Sequence, residues 1–245
     1  MRALISVYDK RNLEQLARGL TELGAEIIST GGTYDTLRGM AVDARAVSDV
    51  TGFPEILDGR VKTLHPAIHG GILADRANPA HTQELQAQGI TPIDVVVVTL
   101  YPFVQTVSAG PVPLTEAIEQ IDIGGVALIR AAAKNFQNVL VVTDPRDYDD
   151  LLEELRRRGN GSAPGATGEF AQSLAAKAFA YTAAYDSYIA SYLRPRTPVA
   201  PTFPETLVLP MRKVQELRYG ENPHQKGAFY TTVPTTEEIG LRTLA

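Results

Sequence analysis

Apolar and polar positions alternate along this chain in two periods, short apolar runs and helical stripes, and the two follow one another from the start. Ala3–Val7 reads as a short buried strand. Leu13, Leu16, Ala17, Leu20 and Leu23 then mark one face of a helix, with Asp9 as a candidate cap and Gly24 as its end. Glu26–Ser29 is the next strand, followed by Thr30-Gly31-Gly32-Thr33, a short helix through Leu37 and a strand around Val42–Val47. Residues 51–75 read as loop-rich, and His81–Gln88 as helix. The run Ile93–Leu100 is the strongest strand signal, unbroken in the manner of a parallel strand covered on both faces. Helices over Thr115–Ile121 and Gly125–Asn135, a strand at Val139–Thr143 and a helix from Asp144-Pro145 to Arg158 come next. Gly159–Gly168 reads as an exposed loop. Glu169–Leu193 reads as a long helix, with Tyr181, Tyr185, Tyr188 and Tyr192 on one face as a packing stripe.

This alternation predicts an α/β fold, a mostly parallel sheet with helices on both faces. Prolines 195, 198, 201 and 204 predict an extended linker. The expected division is a domain over residues 1–198, followed by linker and the start of a second domain over 199–245. Hydrophobic residues make up 44% of the 245, enough for a full core. The net charge of −5 argues against a nucleic-acid or anionic-membrane surface. Cysteine is absent, which excludes disulfides and thiolate metal sites. The apolar run near the N-terminus is too short for a signal peptide, and no run approaches the ~20 residues of a membrane span. The expectation is a cytoplasmic protein.

Ligands of such sheets sit at the carboxyl ends of the strands, and the chemistry-bearing residues fall there. Thr30-Gly31-Gly32-Thr33 opens a helix and offers N–H groups and hydroxyls to an anion; it also reads as a plain strand-to-helix turn. Ser6, Tyr8 and Lys10 follow the first strand and would arrive beside it. Gly59-Arg60-Val61-Lys62-Thr63-Leu64-His65-Pro66 concentrates cations in an acidic chain, as an anion-handling loop or a solvated one. Leu100-Tyr101-Pro102 ends the strongest strand; Tyr101 could meet a base or close the core. Asp122-Ile123-Gly124-Gly125 sets an acid at a helix start. Lys134 comes at the end of that helix among small alanines, either paired with a carboxylate or favouring the helix dipole. His65 and His69 lack a third ligand, so no metal is expected.

Taken in order, these motifs, with Val7–Lys10, Thr51–Glu55, Gly59–His69 and Arg130–Asn135, resemble the inosine monophosphate (IMP) cyclohydrolase domain of the bifunctional purine biosynthesis proteins of the PurH type. Leu217–Gln225 resembles the motif opening that family's second domain, a formyltransferase. The resemblance implies a three-layer methylglyoxal-synthase-like fold. It also implies dehydrative closure of 5-formamidoimidazole-4-carboxamide ribonucleotide (FAICAR) to IMP, with no cofactor and no metal. Substrate and product are purine nucleotide monophosphates; a homodimer is left open, and formyltransferase activity is not expected from a chain of this length. A phosphate-eliminating methylglyoxal synthase and a non-catalytic nucleotide-binding module are the alternatives on the same fold.

The implied phosphate pocket is Ser6, Lys10, Thr30, Gly31, Gly32 and Thr33, with Tyr8 beside it. Arg60, Lys62 and Thr63 would lie over the base, away from the phosphate, with Lys62 stabilising the oxyanion and His65 a structural support. Tyr101 would contact the base or handle a proton. Asp122 and Lys134 would form an acid/base pair, with Leu100, Ile123, Gly124 and Gly125 at the substrate. Tyr8 and Thr30 stand where relatives often carry serine. Thr99 replaces an asparagine, which puts an amide contact to the base in doubt.

Overall fold

The structure, a computed structural model, describes residues 1–57, 59–159, 168–194, 204–222 and 224–232. Its elements run β1 (Arg2–Val7), α1 (Leu13–Glu22), β2 (Glu26–Ser29), α2 (Gly31–Gly39), β3 (Ala44–Ala46), α3 (Val47–Thr51), α4 (Pro66–Leu73) and α5 (Pro79–Ala87). They continue β4 (Val95–Thr99), α6 (Phe103–Ser108), α7 (Leu114–Glu119), α8 (Gly124–Lys134), β5 (Leu140–Val142), α9 (Tyr148–Arg158), α10 (Glu169–Leu193), β6 (Met211–Leu217) and β7 (Gly227–Thr232). Two compact units emerge: residues 1–101 with 122–182, and residues 102–121 with 183–245.

The first unit is built on a parallel five-stranded sheet in the order β3-β2-β1-β4-β5. All five residues of β4 are buried. Successive strand residues point to opposite faces, so the sheet is covered on both sides, as the unbroken apolar run predicts. Helix α2 packs on β1 and β3, α1 on β2, and α8 on β4 and β5. From β1 the chain winds outward through β2 to β3, then crosses back to place β4 on the other side of β1. The strand order therefore reverses between β1 and β4, which puts the crevice for a ligand at their carboxyl ends.

Three local expectations change. Asp9 does not cap α1. The helix starts after Asn12 in the left-handed region (φ 57), and Asp9 instead binds the Arg11 guanidinium and backbone N–H. The loop-rich stretch 51–75 holds a helix that was not expected, α4, which fills its last third. Two glycines hid that helix, yet Ile68 and Ile72, one turn apart, are fully buried. Gly71 lies so close to the chain that a Cβ there would sit 2.8 Å from the Thr91 carbonyl oxygen. Asp144 caps a 3-10 turn over Pro145–Asp147, and α9 begins only after it.

In the second unit β6 and β7 form an antiparallel hairpin, with every residue of β6 exposed. Tyr185 donates its hydroxyl to the Gln120 carbonyl at 2.8 Å, and the Phe103 ring meets Tyr185 and Tyr192 edge-on. These tyrosines are packing residues, as their helical spacing suggests. The boundary expected at residue 198 and the loop at 160–167 fall outside the described residues. No helix among the described residues is long and apolar enough to cross a membrane.

Candidate active site

The reversal between β1 and β4 brings Tyr8 and Tyr101 together, their rings edge-on with centroids 6.3 Å apart and both rings exposed. Backbone and hydroxyl contacts lock the two strand ends. Tyr8 N–H donates to the Thr99 carbonyl at 3.1 Å, and Asp9 N–H donates to Thr99 Oγ1 at 2.9 Å. Thr99 is thus a strut for the loop after β1. On the other side, Leu100 N–H donates to the Tyr181 hydroxyl at 3.1 Å, a support that the sequence disguised as part of a packing stripe.

The second wall is the turn from β2 into α2. Thr33 is buried, and its hydroxyl donates to the Val7 carbonyl at 2.9 Å while accepting from Val7 N–H at 3.0 Å and Lys10 Nζ at 2.8 Å. One donor and two acceptor sites are all that a hydroxyl has. The Thr33 side chain therefore braces β1 against α2, and what it offers a ligand is its backbone. Lys10 also donates to the Val7 carbonyl, and burial pulls its pKa below that of a free lysine. Ser6 is half-buried near the end of β1. Thr30 is the N-cap residue of α2 by position, yet its hydroxyl does not cap the helix. It donates instead to Glu55 Oε1 at 2.7 Å.

Glu55 is the residue that sequence reasoning missed. It sits within the Thr51–Glu55 motif, but no local pattern marked its carboxylate. Besides holding Thr30, it faces Lys62 Nζ at 3.8 Å. The Lys62 ammonium lies against the turn itself: a Cβ on Gly31, whose φ is +52°, would be 3.2 Å from Lys62 Nζ. The expected separation, phosphate at the turn and Lys62 at the far end, is therefore not what the structure holds. The bridge between Ile56 and Val61 folds the chain back over the residues between them and brings Lys62 to α2. Arg60 on the same loop is exposed. His65 is the N-cap of α4, its Nδ1 accepting from Ala67 N–H at 3.1 Å, which makes it a structural support.

The third wall is the start of α8. Asp122 Oδ1 accepts from Gly125 N–H at 2.7 Å, and the Tyr101 backbone also donates to the carboxylate. Burial nonetheless raises the Asp122 pKa above the ordinary carboxylate range; the two backbone donors and the Lys62 charge pull the other way. The glycines here are set by close approach. A Cβ on Gly124 would be 2.7 Å from Thr63 Oγ1, and one on Gly125 would be 2.7 Å from Asp122 Oδ2 and 2.8 Å from Leu100 Cδ2. Thr63 is buried beneath the turn, and Ile123 is exposed at its tip.

Lys134 does not join this group. It is exposed at the other end of α8, twelve residues from Asp122, about 18 Å along a helix rising 1.5 Å per residue. Because α8 runs directly into β5, its last turn lies at the edge where the strands begin. The structure thus gathers Lys10, Thr30, Gly31, Gly32, Thr33, Lys62, Thr63, Tyr8, Leu100, Tyr101, Asp122, Gly124 and Gly125 at one edge of the sheet, and separates the expected pair of Asp122 and Lys134.

Comparison with known proteins agrees with this architecture. Residues 12–127 match the MGS-like domain, and residues 132–244 match the AICARFT/IMPCHase bienzyme family. The bifunctional purine biosynthesis protein PurH of Chloroflexus aurantiacus is 57% identical over 230 residues, 94% of this chain and 43% of that protein. The PurH protein of Bacillus subtilis is 52% identical over 231 residues, 94% of this chain and 44% of that protein. The crystal structure of ForH superposes with a TM-score of 0.69 at 38% identity, covering 78% of this chain and 95% of that one. This chain spans less than half the length of the curated relatives it matches. By its sequence and its sheet, the chain belongs to the family of the PurH-type bifunctional purine biosynthesis proteins and carries that family's MGS-like domain.

Proposed function

We propose that this protein is an enzyme, an IMP cyclohydrolase closing FAICAR to IMP, with residues 1–198 carrying the activity. The observation that supports this most is the position of Lys62. Its ammonium rests on the α2 turn and its charge acts on the half-buried Asp122, in a chain whose relatives are named for purine biosynthesis. In the reaction the carboxamide nitrogen of the substrate attacks the formyl carbon. A C–N bond forms, the carboxamide nitrogen and the formamido nitrogen each give up one proton, and the formyl oxygen takes both and leaves as water. The carboxamide nitrogen is a poor nucleophile, so orientation and charge stabilisation must supply most of the acceleration.

The proposed roles follow from the walls of the site. The backbone N–H groups at the start of α2, with Lys10, take the 5′-phosphate, where the helix N-terminus favours an anion. Lys62, whose ammonium lies at the α2 turn and whose charge also reaches Asp122, would turn toward the base to neutralise the charge growing on the formyl oxygen. Asp122, whose pKa burial raises, accepts the proton from the attacking nitrogen. Tyr8 and Tyr101 flank the base at the strand ends. None of these steps calls for a metal or a cofactor. Supplying FAICAR to the purified protein and following purine absorbance tests the reading. A methylglyoxal-synthase-like elimination would instead release inorganic phosphate, and a binding module would produce neither.

A further inference from the structure

Glu55 has no part in the roles above, yet its carboxylate touches two groups at the α2 turn, where an incoming phosphate would bind. It takes the hydroxyl proton of Thr30 at 2.7 Å and faces the Lys62 ammonium at 3.8 Å. Thr30 precedes the first turn of α2 and the Lys62 ammonium lies against it; α2 is a nine-residue helix whose N-terminus has no side-chain cap of its own. A carboxylate at a helix start, bound to a hydroxyl and facing an ammonium, has the same recognition chemistry as a phosphate there. Two anions cannot share that hydroxyl proton, and their mutual repulsion in a half-buried site adds to the conflict.

We propose that Glu55 is an internal competitor at the phosphate end: its carboxylate occupies Thr30 and Lys62, and a ligand must displace it to bind. The consequence is a threshold: the same cost falls on every ligand that enters the phosphate end, and one with further contacts overcomes it more readily. A free anion such as inorganic phosphate has only the α2 turn with which to displace Glu55. A nucleotide monophosphate is also held at its base end, between Tyr8, Tyr101 and the start of α8. The displaced contacts are one charge-assisted hydrogen bond and one partly exposed ion pair, so the barrier is modest and reversible. The proposal rests on the placement of the substrate phosphate at Thr30–Thr33, and it deepens that reading rather than the identity of the reaction.

Calorimetric titration of the whole protein with inorganic phosphate and, separately, with IMP tests it in the wild type, Glu55→Gln and Glu55→Asp. Glu55→Gln is expected to bind inorganic phosphate about tenfold more tightly than wild type, equivalent to about 1.4 kcal/mol. IMP affinity is expected to improve by a similar factor, with Glu55→Asp close to wild type. Unchanged or weaker phosphate binding in a Glu55→Gln protein that melts like wild type would overturn the proposal. A crystal structure of the wild type with IMP gives an answer independent of any variant. The Glu55 carboxylate is expected outside hydrogen-bonding distance of Thr30 Oγ1; a carboxylate still bound there beside the phosphate contradicts the proposal. Tighter phosphate binding in Glu55→Gln, in a protein that makes no IMP from FAICAR, would leave this inference standing and remove the cyclohydrolase reading.

Discussion

The Lys10 ammonium lies 2.8 Å from the Thr33 hydroxyl, and that hydroxyl is bonded at the same time to both the N–H and the carbonyl of Val7. One buried side chain therefore ties the end of the central strand to the first turn of α2 and aims the lysine. Thr33→Val keeps the shape and removes all three bonds. With Val7 N–H left unmet, the protein is expected to lose about 1–3 kcal/mol of stability by denaturant titration. The Michaelis constant for FAICAR should rise as Lys10 loses its anchor. Thr33→Ser, which restores the hydroxyl, should recover most of both.

Lys62→Ala separates transition-state charge stabilisation from ground-state binding. If the ammonium acts mainly on the formyl oxygen, kcat should fall about 10²–10³-fold while IMP affinity changes by less than tenfold. Equal losses in the two would assign Lys62 to the phosphate, which its position over Gly31 makes the sharpest competing outcome.

Asp122 sets the pH dependence. Burial raises its pKa, so its protonated form persists to higher pH than that of a free aspartate. Acting as a base, it works only when ionised, and kcat/KM should rise with pH through that raised value. In Asp122→Asn the rising limb should vanish and turnover should fall at least about 10²-fold. The linkage to stability has the opposite sense. The contribution of this group to the folded state is complete below the ordinary value of 3.8 and is lost as pH rises through the raised one.

A second aspartate behaves the other way. Hydrogen bonds from Arg146, helped by Lys177 at 3.1 Å, hold the Asp144 pKa far below 3.8 against the cost of burial. Its stabilising contribution is present above 3.8 and disappears as pH falls toward the depressed value. Thermal unfolding followed between pH 5 and 2 (a range chosen to bracket about 3.8, the unshifted value) should show a shallower acid decline in Asp144→Asn than in wild type.

Much of the fold was legible because it rests on local signals. The all-buried β4 and the turn at Thr30–Thr33 stand in the sequence as an unbroken apolar run and a pair of glycines. What was hidden depends on approach between distant segments. Helix α4 carries Gly71 because its backbone there nears Thr91, a constraint set by the fold and not by helix propensity. Glu55 joined the site only when the Ile56–Val61 bridge folded its loop onto α2. Asp122 and Lys134 look like a pair in a motif, but a helix of this length carries its two ends to opposite edges of the sheet. The sequence marks Thr33 as a hydroxyl for a ligand, and only the count of its bonds shows that its side chain is already committed.

The central claim is ring closure, and the most direct measurement is the appearance of IMP. Purified, folded protein given FAICAR, without added metal or cofactor, is expected to produce purine absorbance at a rate proportional to enzyme concentration, with IMP as the product by chromatography and no release of inorganic phosphate. A protein that melts cooperatively and binds IMP, yet leaves FAICAR unchanged, would contradict the account.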